Sequence, residues 1–77
     1  MKIKVKGFSI YSDILGELRE LDLEGDITIG DLLSKILPKG VDSEYGLVVF
    51  VNGKPSRLDY KIKEGDLLEI APSFSGG

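Results

Sequence analysis

The chain has no histidine, no cysteine and no tryptophan among its 77 residues. Without histidine, no side chain titrates near neutral pH unless its pKa is moved far from its ordinary value. Without cysteine, thiol nucleophiles, disulfides and Cys/His zinc sites are excluded, and no metal site is expected. Long apolar runs are missing too. The longest, Leu47 to Val51, is far shorter than a membrane-spanning helix needs. From Lys2 to Lys6 lysine alternates with apolar residues, so no apolar signal core is present and the cytoplasm is the expected location. An excess of positive charge is also absent. Ten Lys and Arg stand against thirteen Asp and Glu, for a net charge of −3. No clustered cations form a nucleic-acid-binding stripe, so neither nucleic acid nor membrane is an expected partner.

What is present is a small globular domain. Apolar residues make up 42% and charged residues 30%, the usual mix for such a chain. A domain of this size buries only about 60% of the surface its unfolded chain exposes. One thin core fits, with little room for a deep substrate cavity.

The apolar periodicity sets the elements. Lys2 to Lys6 alternate with the period of a half-buried strand. Phe8 and Ile10 continue in the opposite phase, which a bulge at Gly7 would reconcile. Tyr11 to Gly16 reads as a loop. Glu20 to Glu24 alternate again, giving a second strand joined to the first as a hairpin. From Thr28 to Leu37 the period changes. Ile29, Leu32, Leu33, Ile36 and Leu37 share one helical face, Thr28 suits the N-cap, and Asp31 sits three residues on. Pro38 and Gly40 end the helix. Leu47 to Val51 reads as a central, covered strand followed by a tight turn at Asn52-Gly53. Pro55 to Tyr60 looks irregular. Glu64-Gly65-Asp66 makes another turn, and Leu67 to Ala71 forms the last strand with Leu68 and Ile70 inward. Pro72 ends it, since proline cannot donate to a ladder. The expected layout is one domain over residues 1–72 and a tail over 73–77. The fold class is α+β, one helix on one face of a mixed sheet of four to five strands.

Few residues outside the tail invite a chemical role. Lys2, Lys4 and Lys6 line one strand face and read as a solvated row. Phe8, Phe50 and Tyr60 are candidates for an exposed docking patch, with Phe50 expected in the core and Phe8 undecided, because its phase conflicts with that of Val5. Glu64 and Asp66 are turn residues, and Asp42 and Glu44 loop acids. No carboxylate pair is placed for acid–base catalysis.

This order of elements, with a chain ending in Ser75-Gly76-Gly77, resembles the ubiquitin-like β-grasp sulfur carriers. The most similar group is the small subunit of molybdopterin synthase, followed by the thiamine-pathway carrier and archaeal ubiquitin-like modifiers. The residues that carry the resemblance are Glu64-Gly65-Asp66 before the last strand, Val51-Asn52-Gly53, Pro72, Phe74 and Gly76-Gly77. Ser73 stands where the molybdopterin group often has a second proline.

The resemblance implies that the chain is not itself an enzyme and binds no cofactor. An ATP-dependent adenylyltransferase of the ubiquitin-activating type would use ATP and magnesium to activate the Gly77 carboxylate. A sulfur donor would then leave a thiocarboxylate there. The acceptor would be the large catalytic subunit of molybdopterin synthase or another sulfur acceptor enzyme. Pro72, Ser73, Phe74, Ser75 and Gly76, with Phe8, would contact partners. Without Cβ atoms, Gly76 and Gly77 pass a channel too narrow for side chains. The six residues from Pro72 to Gly77 reach roughly 20 Å when extended. Four functions stay open: sulfur supply to a molybdopterin precursor, sulfur supply for thiamine or transfer-RNA thiolation, conjugation of Gly77 to target lysines, and a plain interaction domain with an inert tail.

Overall fold

The computed structural model describes residues 1–73; Phe74, Ser75, Gly76 and Gly77 lie outside the described residues. Strand β1 (Lys2–Gly7) leads into helix α1 (Ile10–Leu15), then strand β2 (Arg19–Asp22), helix α2 (Ile29–Ile36), helix α3 (Val41–Tyr45), and strands β3 (Val48–Val51), β4 (Lys54–Ser56) and β5 (Leu67–Ala71). The sheet order is β2-β1-β5-β3-β4. β1 and β5 run parallel at its centre, and the other pairings are antiparallel. The mixed sheet and principal helix agree with the α+β class expected from the sequence, at five strands.

The alternation in β1 is realised directly. Ile3 and Val5 are buried at 1% and 0% exposure, while Lys2 and Lys4 face solvent. Leu68 and Ile70 on β5 and Val49 on β3 join them, and α2 contributes Ile29, Leu32 and Leu33. The helix begins where the sequence places it. Thr28 Oγ1 accepts from the Asp31 N–H at 3.1 Å, and the Asp31 carboxylate accepts from the Thr28 N–H at 3.2 Å. The first two helical N–H groups donate to the carbonyls of Tyr60 and Leu58, so the helix start is bound to the loop before β5. Replacing Thr28 with Ala removes the Oγ1 that accepts from the Asp31 N–H and is expected to cost about 1 kcal/mol, read as a lower midpoint in urea unfolding at unchanged slope.

Several sequence expectations need correction. Gly7 is the last residue of β1 and carries no bulge. Its Cβ would collide with the backbone of Tyr11 and Ser12, which turn back over it. The phase shift at Phe8 therefore marks the chain leaving the sheet for α1. Tyr11 to Gly16, expected as a loop, is mostly that helix: Tyr11 and Leu15 are buried one turn apart, and the Tyr11 hydroxyl donates to the Gly46 carbonyl. β1 and β2 are thus linked through a helix and not by a simple hairpin, and β2 is shorter than expected. Asp42 and Glu44 are not loop acids but lie in α3, whose buried residue is Val41. Lys54–Ser56, taken as partly irregular, is an edge strand. Asn52 and Gly53 have φ of 51° and 87°, the two positive values of a tight hairpin turn between β3 and β4.

Candidate functional site

The helices leave one face of the sheet open, and the pairing register says what lies on it. Lys6, Glu69, Phe50 and Pro55 stand side by side across β1, β5, β3 and β4. The next row toward the tail pairs Ala71 with Val48. Here the expectation of a covered β3 fails. Val49 and Val51 are buried, but Val48 and Phe50 alternate onto the open face and are only half-buried. Phe50 is not a core residue. A run of β-branched and aromatic residues suits either a two-sided or a one-sided strand, so periodicity alone could not decide.

Phe8 completes the patch. Its N–H donates to the Ile70 carbonyl at 2.9 Å, which holds it beside the end of β5, and 39% of the residue stays exposed. The Lys6 ammonium lies 5.2 Å from the centre of its ring. Phe8, Phe50, Glu69 and Ala71 line a shallow depression of about 340 Å³. Its lining is mostly apolar, with Glu69 between Lys6 and Phe50 in the row and the Lys6 ammonium beside the Phe8 ring. That pattern suits a docking surface, since among the described residues no titratable groups converge there beyond Lys6 and Glu69. Tyr60, the third aromatic candidate, is not part of it.

The tail leaves from this patch. β5 ends at Ala71, and Pro72, half-buried, closes the ladder. Ser73 is exposed. The structure thus places Phe8, Pro72 and Ser73 at one end of the sheet. Phe74, Ser75, Gly76 and Gly77 were the other expected site residues and lie outside the described residues. Sequence reasoning missed Glu69 and Ala71, and it misplaced Phe50. The parity of β3 against β5 would have revealed all three once the register was known.

The Glu64-Gly65-Asp66 turn fixes the start of β5. Asp66 is 5% exposed and accepts from the Asn52 amide at 2.9 Å, the Tyr60 hydroxyl at 3.0 Å and the Lys63 N–H at 2.8 Å. Asn52 in turn exchanges bonds with the backbone of Leu67. Burial alone would raise the Asp66 pKa, but these donors outweigh it and hold the carboxyl below its ordinary value. A lowered folded pKa gives stability that is present above the unfolded value and is lost as pH falls through the folded one. Asp66→Ala orphans three donors and is expected to cost about 3 kcal/mol at neutral pH. The gap to the parent protein should narrow on acidification below about pH 4, measured by urea unfolding across pH.

Among the described residues no cluster of His, Cys, Asp or Glu could hold a metal ion, and no helix is long and apolar enough to cross a membrane. A larger open groove of about 650 Å³, partly lined by Leu47, Arg57 and Leu58, lies on the far side of β3 from β5. Its ion pair, Arg57 with Asp59 at 3.5 Å, is solvent-exposed and suggests no chemistry.

The sequence model of the ThiS family matches residues 8–77. No curated protein matches the chain. Among solved structures, the chain is similar to SAMP1, the small archaeal modifier protein 1 of Haloferax volcanii, at 26% identity over 100% of both chains with a TM-score of 0.75. It is similar to a molybdopterin converting factor subunit 1 of Pyrococcus furiosus at 25% identity, covering 94% of this chain and 97% of that one, with a TM-score of 0.75. It is also similar to the thiamine biosynthesis protein ThiS of Geobacter metallireducens at 25% identity over 100% of both chains, with a TM-score of 0.63. The chain belongs to the ThiS family of ubiquitin-like β-grasp sulfur carriers.

Proposed function

We propose that this ThiS-family chain carries sulfur on Gly77 and delivers it, as a C-terminal thiocarboxylate, to an enzyme that builds molybdopterin. The observation that carries the reading is that the family match runs through the terminal Gly76-Gly77. The chemistry needs nothing from the domain except an acyl group and a handle. A partner enzyme joins the Gly77 carboxylate to AMP from ATP, releasing pyrophosphate. This removes the charge that repels nucleophiles and installs a good leaving group. Sulfide sulfur from a donor attacks the acyl carbon, AMP departs, and the thiocarboxylate remains. On transfer, the thiocarboxylate sulfur bonds to an electrophilic carbon of the acceptor's substrate, displacing a leaving group. Water then hydrolyses the acyl–sulfur bond, so the sulfur stays on the substrate and Gly77 returns to a carboxylate. Transition-state stabilisation in each step falls to the partner's active site.

The open face supplies the handle. The Phe8–Phe50 patch lies where the tail begins, so a partner seated there receives the tail in a defined direction. Molybdopterin synthesis is favoured over thiamine by the higher structural likeness to the Pyrococcus subunit than to the Geobacter protein. A second reading, conjugation of Gly77 to a lysine of a target protein, is favoured by the likeness to SAMP1. It uses the same adenylate with an amine as the nucleophile.

The test exploits the missing cysteines. In a chain without thiols, retardation on an organomercury gel reports only newly added sulfur. The purified chain, an activating enzyme, ATP and sulfide are expected to yield a retarded band. No retardation, with an enzyme that loads another carrier in parallel, would overturn the carrier reading.

A further inference from the structure

The two edges of the sheet are protected unequally. β4 is three residues long and includes Pro55. β2 has no proline and no lysine, and its Arg19, Glu20 and Asp22 are exposed. Short strands, proline and charge are the usual devices that keep an edge from pairing, and β2 retains only charge.

The pairing with β1 fixes which backbone groups of β2 face outward. The Met1 amine donates to the Leu23 carbonyl at 2.6 Å, and the Leu23 N–H donates back to Met1 at 2.7 Å. Antiparallel pairs alternate between bonded and non-bonded, so Ile3–Leu21 and Val5–Arg19 are the next bonded pairs. The N–H and C=O of Leu18, Glu20 and Asp22 therefore point away from the sheet. Among the described residues, no turn or loop backbone bond takes them. Leu18, at the entry to this edge, is 61% exposed.

Charge decides the occupant. From Asp13 to Asp31 the chain holds seven acids and a single base, Arg19. A second copy fits badly. Two-fold antiparallel pairing of β2 with itself sets Glu20 opposite Asp22 twice when centred on Leu21, stacks a carboxylate on its own copy when centred on Glu20 or Asp22, and stacks Arg19 on its own copy when centred there, so each of these registers juxtaposes like charges. A cationic strand fits well, and the molecule contains an example. β1 alternates lysine with aliphatic residues and places Lys2 opposite Asp22 and Lys4 opposite Glu20. Neither lysine closes to an ion pair with them among the described residues; Asp22 meets only the Met1 amine, at 3.4 Å.

We propose that the outer edge of β2 accepts an extended, lysine- or arginine-bearing segment of a partner protein as an additional strand, with cations against Glu20 and Asp22 and alternate apolar residues beside Leu21. The inference does not depend on the carrier reading. It names a surface at the opposite edge from β4, away from the Phe8–Phe50 patch.

The probe is a capped peptide, Lys-Val-Lys-Val-Lys, titrated into the full isotope-labelled chain and followed by backbone amide shifts. Saturable shifts are expected at Leu18, Glu20 and Asp22, with slowed amide exchange there. The double variant E20K/D22K should weaken binding about tenfold. Glu20→Pro removes an outward N–H and no bond to β1, so it should abolish binding while the β1–β2 amide signals persist. A peptide N-methylated at alternate residues should also fail to bind the parent chain. No shifts at about 1 mM peptide, undiminished binding by the N-methylated peptide, or self-association of the chain through Leu18–Asp22 would each overturn the proposal.

Discussion

Deleting Gly77 is expected to abolish loading with sulfur while leaving the domain as stable as before. The deletion shortens the tail by roughly 3.5 Å and presents Gly76 as the new carboxylate. Adenylation requires a terminal carboxylate oxygen to meet the α-phosphorus of ATP in line with the departing pyrophosphate, and misplacement by even about 1 Å costs on the order of 100-fold in rate. Loading should therefore fall by at least about 100-fold. The core is built from residues between Ile3 and Ile70, so the thermal midpoint should not move. The measurement pairs the organomercury gel with a thermal melt of the same sample. A deleted chain that loads at the parent rate would place the reactive group elsewhere.

Replacing both Phe8 and Phe50 with Ala is expected to cost partner affinity far more than it costs the fold. Both rings lie on the open face, and neither belongs to the buried core. Aromatic residues at the centre of a docking patch commonly contribute about 2 kcal/mol or more on truncation, or roughly 30-fold in affinity. Titration calorimetry against the activating enzyme should show that loss. The melting temperature should fall only modestly, because no buried cavity is created. Unchanged affinity would show that the partner reads the tail without the sheet. Lys6 and Glu69, which stand side by side within the patch, should then be probed for their effect on association rate, which charges at a docking surface influence.

The sequence made the frame legible where one physical signal dominated. The alternation of Lys2 to Lys6 and the five-residue helical face from Ile29 to Leu37 both appear as read, because each period buries one face. The Thr28–Asp31 cap and the Asn52-Gly53 turn were equally direct, since each needs particular side chains at particular offsets. What was lost lay in short elements. α1 spans only six residues, and its signal, Ile10 with Ile14 and Tyr11 with Leu15, was masked by the strand phase running into it. α3 spans five residues, too few for a period to declare itself. Phe50 was misplaced because a continuous apolar run states that a strand is there and not which side is covered. That is a property of its neighbours, fixed only when Glu69 and Pro55 come beside it. Asp66 read as a simple turn acid. Its role in joining Asn52, Tyr60 and Lys63 depends on contacts that no local pattern displays. The tail residues were read from composition and resemblance alone.

The most direct test of the carrier reading is the intact mass of the chain after reaction with an activating enzyme, ATP and sulfide, followed by fragmentation of its C-terminal peptide. The account predicts replacement of one oxygen by sulfur, located on Gly77 and reversed when an acceptor enzyme turns over. An unchanged mass, with the same enzyme loading another carrier, would contradict it; so would sulfur located on any residue other than Gly77.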